Sequence, residues 1–230
     1  MADHLTEEEQ LETLKRWWKE NGKSTIAGVV LAVAGYFGWE AWQTQQRDQA
    51  ESSAALYEQL VEVLAVEPGQ SLSEEQRANA THFVQQLQDG DPGSLYAKNA
   101  ALMVAKLSAE NDDLEQAAIH LRWILDNRPS DGISLVARVR LSRVLLAQAQ
   151  LDEALALVEG ETDPSFTAVY AEARGDVLVA MERVADARAA YQLALDRLLP
   201  GQSNRRPILQ MKLDDLQLAA PAVASAEEAP

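Results

Sequence analysis

The sequence predicts an all-α protein: a single N-terminal transmembrane helix followed by an α-solenoid of helical hairpins with a C-terminal capping helix. Three observations point there. Apolar residues make up 47% and aromatics 6% of the 230 residues. Leu and Ala outweigh Val and Ile, in long stretches shared with Glu, Gln and Arg, which are good helix formers. One apolar run near the start carries no charge, and a helical motif recurs three times further on.

The apolar run is "STIAGVVLAVAGYFGW", Ser24 to Trp39. Continued past Glu40 to Trp42 it makes roughly 24 to 28 Å of helix, slightly short of the ~30 Å hydrocarbon core. Trp17 and Trp18 precede it, and Tyr36, Phe37, Trp39 and Trp42 close it. Amphipathic rings settle at such interfacial positions. Lys15, Arg16, Lys19 and Lys23 lie just before the run, whereas Arg47 is the one basic residue in the comparable stretch after it. Basic residues stay on the cytoplasmic side, so the N-terminus is expected inside and the remainder exported. A cleaved signal peptide is the rival reading, because Ala32-Val33-Ala34 is an A-x-A pattern and would leave a chain starting at Gly35. Against it, the apolar character continues through two aromatic pairs, and the leader is long and carries "TEEEQLE" instead of opening short and basic. A buried helix of a soluble domain is a third reading. Leu11, Leu14 and Trp18 recur at helical spacing, which predicts a short amphipathic leader helix on the membrane. Ser24, Gly28, Ala32 and Gly35 form a ridge of small residues, the kind that lets another transmembrane helix approach closely.

Beyond the run, internal periodicity is the main signal. "LEQAAIHLRWIL", "LDEALALVEG" and "VADARAAYQLAL" align on Ala117, Ala154 and Ala187, 37 and 33 residues apart. Twelve residues before each stands another small residue, Ala105, Ser142 and Gly175, where the two helices of a hairpin must cross closely. Four residues after each comes a larger apolar one, Leu121, Val158 and Tyr191. Ile124 and Ala194 occupy the next inward position in two copies, and Pro129 and Pro200 fall just past helix ends, where proline blocks continuation. The pattern resembles the tetratricopeptide repeat, a helix–turn–helix of about 34 residues. The middle copy departs from it: Glu161 stands where an apolar residue is expected, with Gly160 before it and "DPSF" after, so its second helix should be short. Arg138 and Arg174 fall at positions expected to face inward, which leaves a first-helix register one residue away open.

Upstream, "ESSAALYEQLVEVLAVE" and "SLSEEQRANATHFVQQLQ" read as a further helical pair, with Ser73 the N-cap of the second. "DGDPGS" marks the break before the first clear repeat. Downstream, "RPILQMKLDDLQ" has the pattern of a capping helix with Ile208, Met211 and Leu216 on its inner side, the lid that stacked repeats require. The tail "AAPAVASAEEAP" has a disordered composition. The expected organisation is residues 1–23 as cytoplasmic leader, 24–43 as anchor, 44–218 as the repeat domain and 219–230 as tail.

Composition excludes several chemistries. A net charge of -16 repels nucleic acid. The absence of cysteine removes disulfides, thiol catalysis and zinc–thiolate sites. His4, His82 and His120 lie apart, with no H-x-x-x-H or H-E-x-x-H spacing, and His120 reads as a partly exposed helix residue. Asp112–Asp113 and Asp214–Asp215 fall beside helix ends or on polar faces. No nucleophile motif or phosphate loop is present, so no enzyme, metal or cofactor is expected. A stacked-repeat scaffold works by presenting a concave surface. The register lines it with Asn99, Leu102 and Lys106, then Val136, Val139 and Arg143, then Val169, Glu172 and Asp176. This mix of apolar, basic and then acidic positions suits an extended or helical polypeptide more than a metabolite.

Taken together, the acidic leader "TEEEQLETLKRWWKENGK", the single anchor, "YEQLVEVL", the degenerate repeats and "ILQMKLDDL" resemble the YfgM-like ancillary translocon subunits of bacteria. The resemblance implies an inner-membrane protein with a periplasmic domain, associated with the SecYEG translocon and paired with a membrane-anchored chaperone of the PpiD type. It also implies help in handing over newly exported proteins, and a regulatory part in envelope stress signalling. The rival from another class is an envelope scaffold that uses its repeats for assembly.

Overall fold

The computed structural model describes residues 7–65, 72–160 and 163–218. His4, Glu161 and the tail from residue 219 lie outside them. Among the described residues all regular structure is helical, and the chain divides into two compact units that part between Ser52 and Ser53.

The first unit is formed by α1, Glu7–Leu64, which continues past the division into the second. It is long and apolar enough to cross a membrane, and its most apolar window is wholly unburied. The aromatic residues stay exposed at either end of the run; Trp39 and Trp42 pair at 5.1 Å between ring centroids, and Tyr36 and Phe37 at 5.6 Å edge to face. Two expectations are corrected here. The leader is not a separate helix, because nothing between Leu11 and Ser24 breaks the hydrogen-bond ladder. At Gly22, the one weak residue, an added Cβ would meet the Trp18 ring at 3.3 Å, so that ring stands over the glycine. Likewise "ESSAALYEQLVEVL" is the end of α1, since neither proline nor glycine stands between Gln43 and Leu64.

Among the described residues the second unit contains that helix end, eight more α-helices and one 3-10 helix. α2, Glu74–Gly90, opens on Ser73 in a full capping box. The Gln76 amide donates to Ser73 Oγ at 3.2 Å, and the Ser73 amide donates to Gln76 Oε1 at 2.9 Å. α3, Leu95–Glu110, is capped by Ser94, and α4, Leu114–Asp126, by Asp113. Then come α5, Asp131–Ala147; α6, Leu151–Ala156; α7, Thr167–Ala180; and α8, Val184–Asp196. A 3-10 helix, Pro200–Arg205, leads into α9, Arg206–Leu218. α6 is the short helix expected of the middle copy, and Gly160 follows it at φ 88°, a conformation that favours glycine.

α3–α4, α5–α6 and α7–α8 are the three hairpins, and each packs on the next. Their turns are the same. Asp112, Ala149 and Glu182 sit at φ 64°, 58° and 61°, each five residues before its marker alanine. In each the following amide reaches back to close the helix: Asp113 to the Ser108 carbonyl, Gln150 to that of Leu145, and Arg183 to that of Leu178, all at 2.9 Å. This is the Schellman ending, built three times without a glycine.

Ala117, Ala154 and Ala187 are fully buried, as are their crossing partners. Ser142 Oγ donates to the Ala154 carbonyl at 2.8 Å, satisfying a hydroxyl that burial would otherwise penalise. A Cβ at Gly175 would overlap the Tyr191 ring, so only glycine allows that approach. The main core runs through the three hairpins to α9, and a smaller one joins Leu60 of α1 to α2 and α3.

His120 is buried (8% exposed) rather than partly exposed, because it points between α4 and the preceding helices. Burial holds its pKa below the usual value, against the opposing pull of Asp113. The inner side of α9 is also corrected. Leu209, Leu213 and Leu216 meet the core, whereas Ile208 and Met211 are 50% and 57% exposed. The helix is turned so that an i, i+4, i+7 leucine ridge packs inward, which Ile208 and Met211 do not share.

Candidate functional site

The residues expected to line the concave surface fall into two different settings. In the first, α3 and α5 enclose a groove of about 390 Å³. Ala105 and Ala109 of α3, Leu121 of α4 and Val144 of α5 form its floor, and Lys106, Glu110, Arg140 and Arg143 its rim. Lys106 and Arg143 are therefore brought together as the repeat register implied. Leu102 is half-buried beside them, and its carbonyl accepts a 3.2 Å bond from Arg140 Nη1. Asn99 and Val136 are half-buried a turn earlier on the same helices. Val139 lies inward in a cluster with Val158, Tyr170 and Ala173, too buried (4% exposed) to line a groove.

The groove's electrostatics are simple. Lys106 Nζ lies 3.5 Å from Glu110 Oε1, an exposed pair one turn apart that water screens. Among the described residues Arg143 has no ion pair, and Arg140 is bonded through Nη1 alone, to the carbonyl of Leu102. No acidic residue occurs between Asp131 and Asp152 to neutralise α5. A local excess of positive charge thus lies over an apolar floor in a strongly acidic chain.

The third repeat is the second setting. Glu172 is buried (5% exposed) and Asp176 half-buried, and both are occupied by the chain's own C-terminal segment. Arg205 of the 3-10 helix donates Nε and Nη2 to Glu172 Oε2, the former at 3.0 Å. Lys212 of α9 donates to Glu172 Oε1 at 3.1 Å and to Asp176 Oδ1 at 2.6 Å. Tyr191 donates to the same Asp176 oxygen at 2.7 Å, and Lys212 Nζ stands 5.5 Å from the Tyr191 ring centroid. Burial works to raise the Glu172 pKa, but the bonds from Arg205 and Lys212 outweigh it and hold the carboxyl below its ordinary value. Burial, then the bond to Asp176, pushes the Tyr191 hydroxyl far up, so it stays a donor. Val169 is half-buried against the cluster around Tyr170. Glu172 and Asp176 are consequently a clasp for α9, not a free lining.

Arg140, Arg205 and Lys212 join the expected residues at these places. Arg140 lies on the Val136–Arg143 face of α5 and shares its periodic signal; the partners of Glu172 lie 33 and 40 residues away from it and carry no local signal. A separate cavity of about 340 Å³ is lined by Tyr170, Arg174 and Arg197, among others. On α1, Ser24, Gly28, Ala32 and Gly35 are all exposed, and a Cβ added at Gly28 or Gly35 would meet nothing within 4 Å. Among the described residues no three His, Asp or Glu side chains gather as metal ligands.

Stacked helical hairpins, a groove of mixed apolar and basic character and one long apolar helix define a helical repeat scaffold. A family model described as a tetratricopeptide repeat-like domain matches residues 15–218. The ancillary SecYEG translocon subunit of Neisseria gonorrhoeae is 34% identical over 217 residues, covering 94% of this chain and all of that protein. The protein of the same name from Haemophilus influenzae is 32% identical over 216 residues, and that from Escherichia coli 27% over 219, with 94% and 95% of this chain covered and all of each relative. No solved structure matches. The chain belongs to the family of ancillary SecYEG translocon subunits.

Proposed function

We propose that this protein is a non-enzymatic adaptor of the bacterial inner membrane that works beside the SecYEG translocon. In this reading α1 is a retained anchor with its N-terminus in the cytoplasm, and the repeat unit lies in the periplasm. There it binds a PpiD-type chaperone and helps hand over newly exported polypeptides. The observation that carries the proposal is the full-length relationship to proteins named for the translocon. Support for orientation comes from the basic residues before the apolar run and their scarcity after it. Support for polypeptide binding comes from Leu102, Lys106, Val136 and Arg143 on or beside the α3–α5 groove, with Asn99 at its approach. The open ridge of Ser24, Gly28, Ala32 and Gly35 is the proposed packing surface for a translocon helix.

Photo-crosslinking in intact membranes tests this, with the reactive group placed at position 143 and, separately, at position 28. The expected adducts are chaperone and nascent chains from the first and translocon subunits from the second. Self-adducts alone would instead favour an assembly scaffold. Single introduced cysteines at positions 12 and 143 test orientation without background, because the chain has none. Labelling of position 143 from the cytoplasmic side would overturn the topology.

A further inference from the structure

We infer that the α3–α5 groove selects acidic polypeptide segments: a carboxylate on the incoming chain meets Arg140 and Arg143 while a neighbouring apolar side chain enters the floor. The inference rests on the adaptor reading and adds the chemistry of what is bound.

The first support is the imbalance of charge. Three cations line the groove against one carboxylate, and that carboxylate is already turned to Lys106. The whole chain is acidic, with a net charge of -16, so unpaired arginines are not needed for its solubility. Guanidinium groups match carboxylates in a two-bond fork, and the Leu102 carbonyl already fixes one edge of Arg140 in place. The groove's volume accommodates a side chain or two, not a folded domain.

The second support lies inside the molecule. By the repeat spacing, Leu102 corresponds to Val139 and Glu172, and Lys106 to Arg143 and Asp176. In the third repeat a segment of polypeptide lies against those positions and inserts opposite charges, Arg205 and Lys212 onto Glu172 and Asp176. There the next helix of the stack, α9, supplies the counter-charge. At the equivalent place after the first repeat the next helix, α5, brings Arg140 and Arg143 beside Lys106, like charge against like, so the counter-charge is left for an incoming segment that carries carboxylates.

The test uses the full chain in detergent micelles and two fluorescent twelve-residue peptides. One alternates Glu with Leu and Ala; the other has every Glu replaced by Gln. The acidic peptide is expected to bind about tenfold or more tightly than its Gln counterpart, and rising salt should erase the difference. Arg140→Gln with Arg143→Gln should cost the acidic peptide about tenfold and leave the Gln peptide unchanged. Arg174→Gln with Arg197→Gln, in the separate cavity, should change neither. Equal binding of the two peptides overturns the inference, as does failure of the acidic peptide to bind, or loss of binding in the Arg174/Arg197 variant instead. Membrane adducts at the translocon together with indifference to Glu against Gln remove this inference alone. Discrimination between the peptides without translocon adducts leaves the groove chemistry standing and removes the adaptor reading.

Discussion

The α3–α5 groove and the α7–α9 clasp occupy equivalent places in the repeat and do opposite things. At one, Lys106 and Arg143 are exposed over an apolar floor. At the other, Glu172 and Asp176 are closed over by Arg205, Lys212 and Tyr191. Position in a repeat therefore does not assign a role. What lies over the position does, and in the last repeat it is the chain itself. A terminal repeat has no successor to cover its apolar face, so α9 takes that place, and the clasp fixes its orientation. The leucines supply the larger share of the docking energy, because a buried ion pair recovers its desolvation cost only when every donor is matched.

That division can be broken experimentally. Leu209→Ala, at a fully buried site, should cost about 3 kcal/mol of unfolding free energy and loosen α9. Met211→Ala on the same helix should stay within about 0.5 kcal/mol. Equal effects in urea denaturation would mean that the helix packs by another face.

Glu172→Gln comes next. It leaves Arg205 and Lys212 facing a neutral amide and should cost about 2 kcal/mol, less than for a fully buried pair because both cations keep some water. Arg143→Gln in the groove should change stability by no more than about 0.5 kcal/mol. The pH dependence sharpens the contrast. Glu172 has a folded pKa held below its unfolded value of about 4.3, so its contribution is present above that pH and lost as pH falls through the folded value. The urea midpoint of the native protein should drop more steeply below about pH 4 than that of Glu172→Gln.

The smallest effect tests whether the repeats are equivalent at all. Ala149 adopts a left-handed conformation with no polar side chain to ease it. Ala149→Gly should stabilise by about 0.5 to 1 kcal/mol, read as a rise in urea midpoint. A loss instead would show that the middle turn is held by contacts the other two lack.

Much of the fold is legible in residue types and spacing. Ala117, Ala154 and Ala187 with Ala105, Ser142 and Gly175 locate three helix crossings, because close approach tolerates few side chains there. Ser73 and Gln76 mark a helix start through hydrogen bonds made within one turn. Gly160 and the polar residues around it shorten α6 for equally local reasons. The candidate groove was legible in part: Lys106 and Arg143 follow from the period, since a repeated hairpin places equivalent residues on one face.

Other features depend on neighbours distant in the chain. His120 and Val139 turn inward because of the helices packed on them, and no local pattern separates them from exposed residues. α9 carries apolar residues on more than one side, so its inner face is chosen by the surface awaiting it. Glu172 and Asp176 read as exposed carboxylates until Arg205 and Lys212 return from 33 to 40 residues downstream. Local hydrogen bonding, steric size and periodicity thus determine the hairpins, their turns and the apolar helix from the sequence alone. Which charged residues stay open to a partner and which are spent inside the molecule is decided by tertiary packing, because only the folded chain sets the solvent and the counter-charge each one meets.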